Sequence, residues 1–521
     1  MFKRLSSLML GLVLLALLNA CTPASLPTVS TDAQVKDAVA TGTEKTESAT
    51  RGTLRIPHSL FMSGKESLDP ASPNVFDYAV TLLYDRLVRI DENGKVAPDL
   101  AVSWAPNENA TEWTFTLRDD VTFHNGQALS SADVAYTFER ILNPATESSL
   151  ASTLALIQRI ETPDPHTVVF QLDQSHADFP VLLVEFTARI IPEGSGDTIG
   201  TTGIGTGPFK LETFNAEGTT VLRANDAYWR GAPQLAAIEL VGIADAEARG
   251  AAMLAGQVDV LLSTTATQAS LFADNPAFVT KSFPTGEWYT LVMRTDTPPY
   301  DDVRVRKAMR LVADRQAMID LVLDGQGTVA CDTPVAPTDV YHWTTTCPQD
   351  IEQAISLLAE AGYGEGLDVT LFTSELEPWM IPLAEVYQQQ AAAAGINVML
   401  KMIPSDTYYS EIWLTAPFYP SYWRERPADL ILNLLWRSTA EWNESHYQSA
   451  QFDQLLDEAR QELDFEKRYQ LYQQAQQVLF EEGGNLIPFY VNLANVYSVN
   501  VSGIEARSYR EMKWELISKS E

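Results

Sequence analysis

Residues 113–140, WTFTLRDDVTFHNGQALSSADVAYTFER, form the stretch that decides the fold. Apolar and polar residues alternate through 111–123, which predicts a pair of strands around Asp119 and Asp120. Ser130 is then a suitable N-cap for a helix that continues through Phe138. The stretch therefore predicts strands followed directly by a helix, the pattern of a mixed α/β chain.

The pattern stays mixed further along the chain. Residues 301–323 predict one amphipathic helix, and residues 452–482 predict a long helical region that ends at a Gly-Gly pair. Residues 369–372, 383–394 and 396–402 predict a strand, a helix and a second strand. This order indicates a parallel βαβ unit, and hence an α/β fold class.

Composition indicates a large globular chain. The sequence has 521 residues, of which 45% are hydrophobic and 10% aromatic, and its length predicts about two to four domain-sized units. The net charge is −32, from 36 basic and 68 acidic side chains. Such a surface repels phosphate backbones, so no nucleic acid is expected as a partner.

The N-terminus indicates export. Lys3 and Arg4 precede an apolar run that ends just before Cys21, a pattern typical of a secretory signal at residues 1–20. A membrane span needs roughly 20 apolar residues, and this run is too short. The junction resembles a bacterial lipoprotein processing site. It predicts lipid on Cys21, a flexible linker over residues 21–50, and a body anchored to the cell membrane facing the periplasm or exterior. The alternative is an ordinary signal peptide with an incidental cysteine.

The other two cysteines, Cys331 and Cys347, are predicted to form a disulfide. An exported chain with one remaining pair favours this, and the segment between them is rich in Pro and Thr, as loops are. A metal site is the alternative, but only His342 lies nearby as a further ligand.

Sequence motifs for catalysis do not emerge. GIGTGPFK at 203–210 departs from the phosphate-loop pattern because Pro208 replaces the second glycine, so a turn leading into a strand is predicted. There is no G-x-S-x-G elbow and no H-E-x-x-H helix. We therefore expect no enzyme activity, no metal and no cofactor.

Eight segments, in order, are similar to the extracellular solute-binding proteins of family 5, the dipeptide/oligopeptide class of ABC importers. The most specific is the 113–140 stretch. The others are LYDRLVRIDENGKVAPDLAVSW (83–104), GTGPFKL (205–211), ANDAYWRGAPQLAAIEL (224–240), AAMLAGQVDVL (251–261), PPYDDVRVRKAMRLVADRQAMI (298–319), LLAEAGYGEG (357–366) and FDQLLDEARQELDFEKRYQLYQQAQQVLFEEGGNLIPFY (452–490).

The resemblance implies a two-lobed fold of the type II periplasmic-binding-protein kind, with an extra β-rich subdomain in the first lobe. The expected bounds are 51–295 for lobe I, including the subdomain at about 83–225, then 296–489 for lobe II, and 490–521 for the return to lobe I. The chain is expected to cross between lobes near 293–299 and 490–492.

The resemblance also implies a function without catalysis. A monomeric, lipid-anchored receptor would close around a peptide or peptide-like solute in the interlobe cleft and deliver it to the transmembrane subunits of an ABC permease. The alternatives are a binder of an oligosaccharide or another non-peptide solute, and a receptor that does not serve transport.

Candidate ligand contacts follow from the same resemblance. Peptide binders of this class pair the ligand's ammonium with an Asp a few residues after a Trp. In NLLWRSTAEWNESHY (433–447), Thr439 stands there, so Glu441 or Glu444 would have to substitute. The predicted ligand-binding residues are Trp288, Tyr289, Trp436, Arg437, Glu441, Trp442, Asn443 and His446, with Met62 and Ser63 from a cleft-edge loop. For the aromatic residues the alternative is ordinary core packing.

Overall fold

A computed structural model describes residues 51–59 and 65–520 of the chain. The predicted signal, the linker, the predicted lipid site at Cys21, and the predicted contacts Met62 and Ser63 lie outside the described residues. The described residues belong to one compact unit.

The helices and strands alternate along the described ranges. The α-helices are α1 (Asp77–Leu83), α2 (Ser131–Leu142), α3 (Phe179–Leu182), α4 (Ile199–Thr202), α5 (Ala246–Leu254), α6 (Ala266–Ser270), α7 (Val303–Leu311), α8 (Arg315–Val322), α9 (Ile351–Glu360), α10 (Met380–Ala391), α11 (Tyr408–Glu411), α12 (Ala428–Leu435), α13 (Ala450–Gln461) and α14 (Phe465–Glu482). The strands are β1 (Thr53–His58), β2 (Val88–Ile90), β3 (Val96–Pro98), β4 (Ala101–Pro106), β5 (Glu112–Leu117), β6 (Ile157–Asp164), β7 (Thr167–Leu172), β8 (Phe209–Thr213), β9 (Thr219–Ala224), β10 (Ala237–Gly242), β11 (Val260–Thr264), β12 (Phe278–Met293), β13 (Gly327–Val329), β14 (Leu367–Ser374), β15 (Ile396–Ile403), β16 (Phe418–Trp423), β17 (Asn485–Ser498), β18 (Val501–Ser502) and β19 (Ser518–Lys519).

Three larger sheets organise these elements. Their strand orders are β1-β10-β9-β8, then β4-β5-β7-β6, and β11-β17-β12-β16 with β13 paired to β17. In the first sheet β1 runs parallel to β10, with Leu54 opposite Ile238. In the smaller sheet β14 runs parallel to β15 and α10 lies between them in the chain, so the predicted βαβ unit is confirmed.

The 113–140 stretch is partly as predicted. The predicted strand pair around Asp119 and Asp120 is wrong, because β5 pairs instead with β4 and β7. Arg118 binds Asp120 through two hydrogen bonds of 2.7 and 2.8 Å, which closes a turn where a second strand was expected. The helix is confirmed as α2, and the backbone N–H and hydroxyl of Ser130 both donate to Oδ2 of Asp133.

Two predicted long helices are interrupted. Residues 301–323 form α7 and α8, and residues 452–482 form α13 and α14. At each break an aspartate begins the second helix: Asp314 accepts from the N–H of Ala317, and Asp464 from that of Lys467, both at 3.0 Å. An aspartate at this position satisfies a free N-terminal donor, so the helix can restart without losing the apolar period.

Two long strands, β12 and β17, connect separate hydrophobic cores. Residues 278–284 of β12 pair with 492–498 of β17, and 288–292 pair with 485–490, with a break in register between Pro284 and Trp288. On the side of the break where residues 278–284 pair with 492–498, Tyr497 packs with the core around β1 and β10. On the other side, side chains such as Leu291 pack with the core around α7, α10 and β14.

The cysteine pair lies within residues 296–489, the range predicted for lobe II. Cys331 and Cys347 are joined by a disulfide, with Cα atoms 5.3 Å apart. Arg315 anchors both ends of this loop, because it donates to the carbonyl of Cys347 at 2.9 Å and pairs with buried Asp332 at 2.6 Å. Among the described residues, no helix has the length and apolar character that crossing a bilayer would require.

Candidate functional site

The break between β12 and β17 brings charged and aromatic side chains to one place. Thr285 closes the break by donating from Oγ1 to the carbonyl of Val491 at 2.6 Å. A Cβ atom at Gly286 would lie 2.7 Å from side-chain atoms of both Ala336 and Glu425, closer than carbon atoms approach in proteins. The glycine therefore lets the residues after β16 lie directly against this break in the strand pairing.

Three charged side chains lie around the start of the second half of β12. Glu287 is half-buried, and burial raises its carboxyl pKa, while Arg424 opposes that rise. Glu377 is subject to the same two influences. Arg424 is exposed and follows β16 directly. Arg424 is thus an exposed cation near two carboxyl groups whose charged forms burial disfavours.

Arg426 provides a second cation and comes close to a segment far away in sequence. Burial raises the pKa of Glu185, and the nearby Arg426 and Arg510 oppose that effect. The buried Nε of Arg426 has no hydrogen-bond partner within the described ranges, and no carboxylate oxygen there lies within 4 Å of its guanidinium nitrogens. A buried unpaired donor is costly, so this guanidinium is well placed to accept an anionic group.

Four aromatic rings form a continuous group at the edge strand β16. Trp423 lies 5.6 Å from Trp442, Trp442 lies 6.2 Å from Trp413, and Trp413 lies 6.0 Å from Tyr409, all between ring centroids. Trp442 is 40% exposed and Tyr409 53% exposed. Large exposed rings of this kind are unusual away from binding surfaces.

A buried carboxyl group lies beneath these rings. Oε1 of Glu444 accepts from Nε1 of Trp413 and from Oγ of Ser421, both at 2.6 Å. Oε2 is also buried, and the side chain of Trp423 interacts with this carboxyl group and lowers its pKa. Burial raises the pKa of Glu444, and the donors from Ser421 and Trp413 oppose this. The group therefore favours its neutral form more than an exposed glutamate does.

The two predicted contacts on β12 are core residues in this conformation. Trp288 has no accessible surface, and its Nε1 donates to the carbonyl of Pro334 at 3.0 Å. Tyr289 points to the other face of the strand and stacks on Trp379 with centroids 4.0 Å apart. Their role as ligand contacts stays a prediction. Both side chains pack around the part of β12 that directly follows the break.

The predicted contacts in 433–447 do not come together at one point. Trp436 is 3% exposed, donates to Asn485 at 3.1 Å and lies 6.1 Å from Trp288. Arg437 instead pairs with Asp457 on α13 at 2.7 Å. Asn443 is buried and bonds to the backbone of Tyr447.

The rest of that segment divides between solvent and a neighbouring loop. Glu441 is exposed, and Trp442 joins the aromatic group already described. His446 binds Asp296 through Nδ1 at 3.1 Å and the carbonyl of Leu414 through Nε2 at 3.0 Å. Of the predicted contacts that the structure describes, only Trp442 belongs to the surface around β16.

Several candidates at this surface were not predicted from sequence. Arg424 and Arg426 lie in a short charged run directly after the aromatic strand β16. This change from aromatic to charged residues could have identified them from the sequence. Glu185 carried no signal, because its partner lies in a distant segment. Within residues 51–59 and 65–520, no three His, Cys, Asp or Glu side chains are grouped so as to hold a metal ion.

Comparisons with known sequences cover most of the chain. The sequence model of bacterial extracellular solute-binding proteins, family 5 Middle, matches residues 95–470. The glutathione-binding protein GsiB of Salmonella typhi is 28% identical over 459 residues, covering 84% of this chain and 89% of that protein. Di/tripeptide-binding protein 1 of Pseudomonas aeruginosa is 26% identical over 462 residues, covering 78% of this chain and 83% of that protein.

Comparison with solved structures supports the same architecture. HbpA2 from Haemophilus parasuis superposes with a TM-score of 0.80 at 23% identity, covering 90% of this chain and all of that one. The structural neighbours are two-lobed periplasmic binding proteins. The chain therefore has the predicted two-lobed α/β fold.

Proposed function

Because the chain belongs to the bacterial extracellular solute-binding proteins of family 5, we propose that it captures a short peptide between its lobes and delivers it to an ABC permease. Members of this family are transport binding proteins, not enzymes. The observation that carries the ligand class is the likeness, over most of the chain, to proteins named for glutathione and for di- and tripeptides.

The proposed ligand position is the surface around the β12–β17 break. Arg426 and Arg424 would receive a carboxylate of the peptide, because each guanidinium there lacks a carboxylate partner within 4 Å among the described residues. The exposed ring of Trp442 would contact an apolar part of the ligand. Trp288 and Trp436 would then support this surface from below.

The proposal also covers the lobe bounds and the cellular location. The β12–β17 break supports a lobe crossing at 284–288, earlier than the 293–299 predicted, together with the predicted crossing at 490–492. We further propose a monomer that is exported and anchored through lipid on Cys21, with the Cys331–Cys347 disulfide formed outside the cytoplasm. Anchoring would keep the loaded receptor near its permease.

The test begins with the mature chain purified from its natural host. Any ligand is released by unfolding and identified by mass spectrometry, and the refolded protein is titrated calorimetrically with glutathione, with dipeptides and with a linear oligosaccharide. We expect peptides in the released fraction and heat on adding glutathione or dipeptide. Recovery of sugars alone, with heat from the oligosaccharide only, would contradict the peptide assignment.

A second candidate is an oligosaccharide ligand. The connected rings of Trp423, Trp442, Trp413 and Tyr409 favour it, since flat aromatic faces stack on the apolar faces of sugar rings. The same titration separates the two candidates. A Trp442→Ala variant should lose most of the affinity for a sugar but retain much of that for a peptide held through its carboxylate.

A further inference from the structure

A small cavity lies between the C-terminal segment and three earlier parts of the chain. It has a volume of about 50 Å³, enough for a few water molecules or one small ion. Its lining residues come from the segment after α1, from Arg189, from Tyr228 and Arg230, and from the 3₁₀ turns near the C-terminus. None of these walls is part of the ligand surface proposed above.

The cavity collects positive charge in a strongly acidic protein. Its lining contains seven basic side chains and four carboxylates, although the whole chain carries a net charge of −32. The basic residues are Arg86, Arg89, Arg189, Arg230, Arg507, Arg510 and Lys513, and the acidic ones are Asp85, Asp99, Glu511 and Glu515.

Four of the cations already have carboxylate partners. The pairs are Arg86–Glu511 at 2.8 Å, Arg507–Glu505 at 3.0 Å, Arg510–Asp77 at 2.5 Å, and Arg230–Asp99. Two of these carboxylates, on Glu505 and Asp77, are not part of the lining. Counting them and Glu185, which also lies near Arg86 and Arg510, seven cations face seven carboxyl groups, and burial raises the pKa of two of these, Glu185 and Glu515.

Arg189 is the clearest cation without a carboxylate partner. It is buried, and its guanidinium donates only to backbone carbonyls, those of Tyr84 and of Phe186. Burial lowers its pKa to about 9, so it still carries a proton at neutral pH. A buried cation of this kind is stabilised by an anion.

No carboxylate of the described residues pairs directly with Arg189, although Asp85 and Glu511 lie near enough to favour its charged form. Oxygens of Asp85 already accept from Thr206, Tyr228 and Trp229, each at 2.9 Å. Glu515 is 8% exposed, and burial raises its pKa, which favours its neutral form.

A second, independent feature points to a ligand. Trp514 lines the cavity and is 2% exposed, yet its Nε1 donor has no acceptor within the described residues. Buried N–H groups nearly always have a partner, whether protein, water or ion. Nε of Arg510, also in the lining, is buried without a partner as well.

We propose that this cavity binds one small monoanion, of about the size of chloride, held by its arginines and by the indole N–H of Trp514. One such charge would lie beside buried Arg189, whose guanidinium donates to backbone carbonyls of Tyr84 and Phe186 and not to a carboxylate of the described residues, and the volume excludes a larger metabolite. The half-buried side chains of Arg89 and Lys513 line the part of the cavity nearest solvent. The bound ion would tie the C-terminal segment to the rest of the lobe.

The test uses the mature protein and two probes, sodium chloride and sodium formate, against sodium gluconate at equal concentration. Gluconate is too large for the cavity. We expect a higher thermal unfolding midpoint in chloride than in gluconate, and a broadened chloride-35 NMR line. Competition by formate would show that a carboxylate fits too, whereas no competition would restrict the site to halide, and both results support a monoanion site.

Variants decide whether the effect comes from this cavity. Trp514→Phe removes the donor but keeps the ring, and Lys513→Gln removes one rim charge, so each should weaken chloride binding at least several-fold. Trp379→Phe, at a buried ring on Tyr289, is the matched control and should leave binding unchanged. Equal midpoints in chloride and gluconate, with a chloride line unaffected by both variants, would leave only water in the cavity and overturn the proposal.

Discussion

Nε2 of His176 lies 3.2 Å from Oδ2 of Asp429, and both side chains are buried. The histidine belongs to the loop after β7 and the aspartate to α12, so this contact joins two parts of the fold that are far apart in sequence. Arg460 and Tyr472 also bond to Asp429, and the N–H of Ala177 donates to the carbonyl of Arg460 at 2.8 Å. A buried polar network therefore holds the 176–178 loop against the α12–α14 helices.

Asp429→Asn should destabilise the protein by about 3–5 kcal/mol at pH 7, because Arg460 would lose its buried counter-charge. Burial alone would raise the pKa of Asp429, but His176 and Arg460 hold it well below its usual value. The charged form is thus favoured on folding. This stability is present above about pH 4 and is lost as pH falls further.

Urea unfolding from pH 3 to 7 measures this contribution. The difference in unfolding free energy between wild type and Asp429→Asn should shrink as pH falls. Asp457→Asn, at an exposed ion pair, is the control and should change stability by less than about 1 kcal/mol. A difference that stays constant with pH would contradict a depressed pKa at Asp429.

Glu444→Gln should change the pH dependence in the opposite sense. Burial raises the pKa of Glu444, so the folded wild type favours the protonated form and loses stability as pH rises from about 4 through the folded pKa. Glutamine retains an oxygen for Trp413 and Ser421 and has no charge to bury, although its NH2 group cannot accept from Trp423. The variant should therefore gain stability relative to wild type between pH 4 and 8.

Unfolding midpoints at several pH values across that range provide the measurement, with exposed Glu441→Gln as the matched control. A constant offset between Glu444→Gln and wild type would show that the carboxyl is ionised throughout and would refute this prediction.

Trp288→Ala should mainly lower stability. The ring has no accessible surface and packs against Trp436, so its removal leaves a large cavity and should reduce the unfolding free energy by about 3–5 kcal/mol. Trp442→Ala, at a ring that is 40% exposed, should cost much less. Chemical denaturation compares the two variants, and equal losses would contradict the buried placement of Trp288.

Binding by the folded Trp288 variant addresses its predicted role. Ligand contact by the ring predicts affinity weakened by on the order of 1 kcal/mol or more. Unchanged affinity and unchanged stability together would remove Trp288 from both the site and the core.

Arg426→Gln should weaken binding of glutathione about ten-fold, if the guanidinium receives a ligand carboxylate as proposed. Arg437→Gln is the matched comparison, because that guanidinium is already paired with Asp457 at 2.7 Å. Its affinity should stay within about two-fold of wild type. If calorimetric titration shows that Arg437→Gln loses more affinity than Arg426→Gln, the ligand carboxylate is bound by Arg437 instead.

Replacing both Cys331 and Cys347 by serine should lower stability by on the order of 3 kcal/mol, the value for closing a loop of this length. Thiol titration of the denatured, non-reduced wild type should find neither of these cysteines free. Two free thiols would end the disulfide prediction.

Local sequence patterns were informative wherever the causes of structure are local. Ser130 begins α2 as predicted, because an N-cap acts on donors within three residues. The same local rule explains the two interrupted helices: Asp314 and Asp464 restart helices inside apolar periods that looked continuous. An apolar period reports which face is buried, and it persists across such a break.

The order of segments along the chain was enough to predict the family and the two-lobed α/β class, and both are confirmed. Composition, helix caps and the βαβ pattern likewise followed from the sequence alone, because they depend on neighbouring residues. The tertiary structure alone decided which charges and rings share a surface. Period-two alternation places Trp288 and Tyr289 on opposite faces of a strand, but the residues that cover each face come from distant segments. Contacts such as Arg426 near Glu185, or His176 with Asp429, form only when those segments pack together.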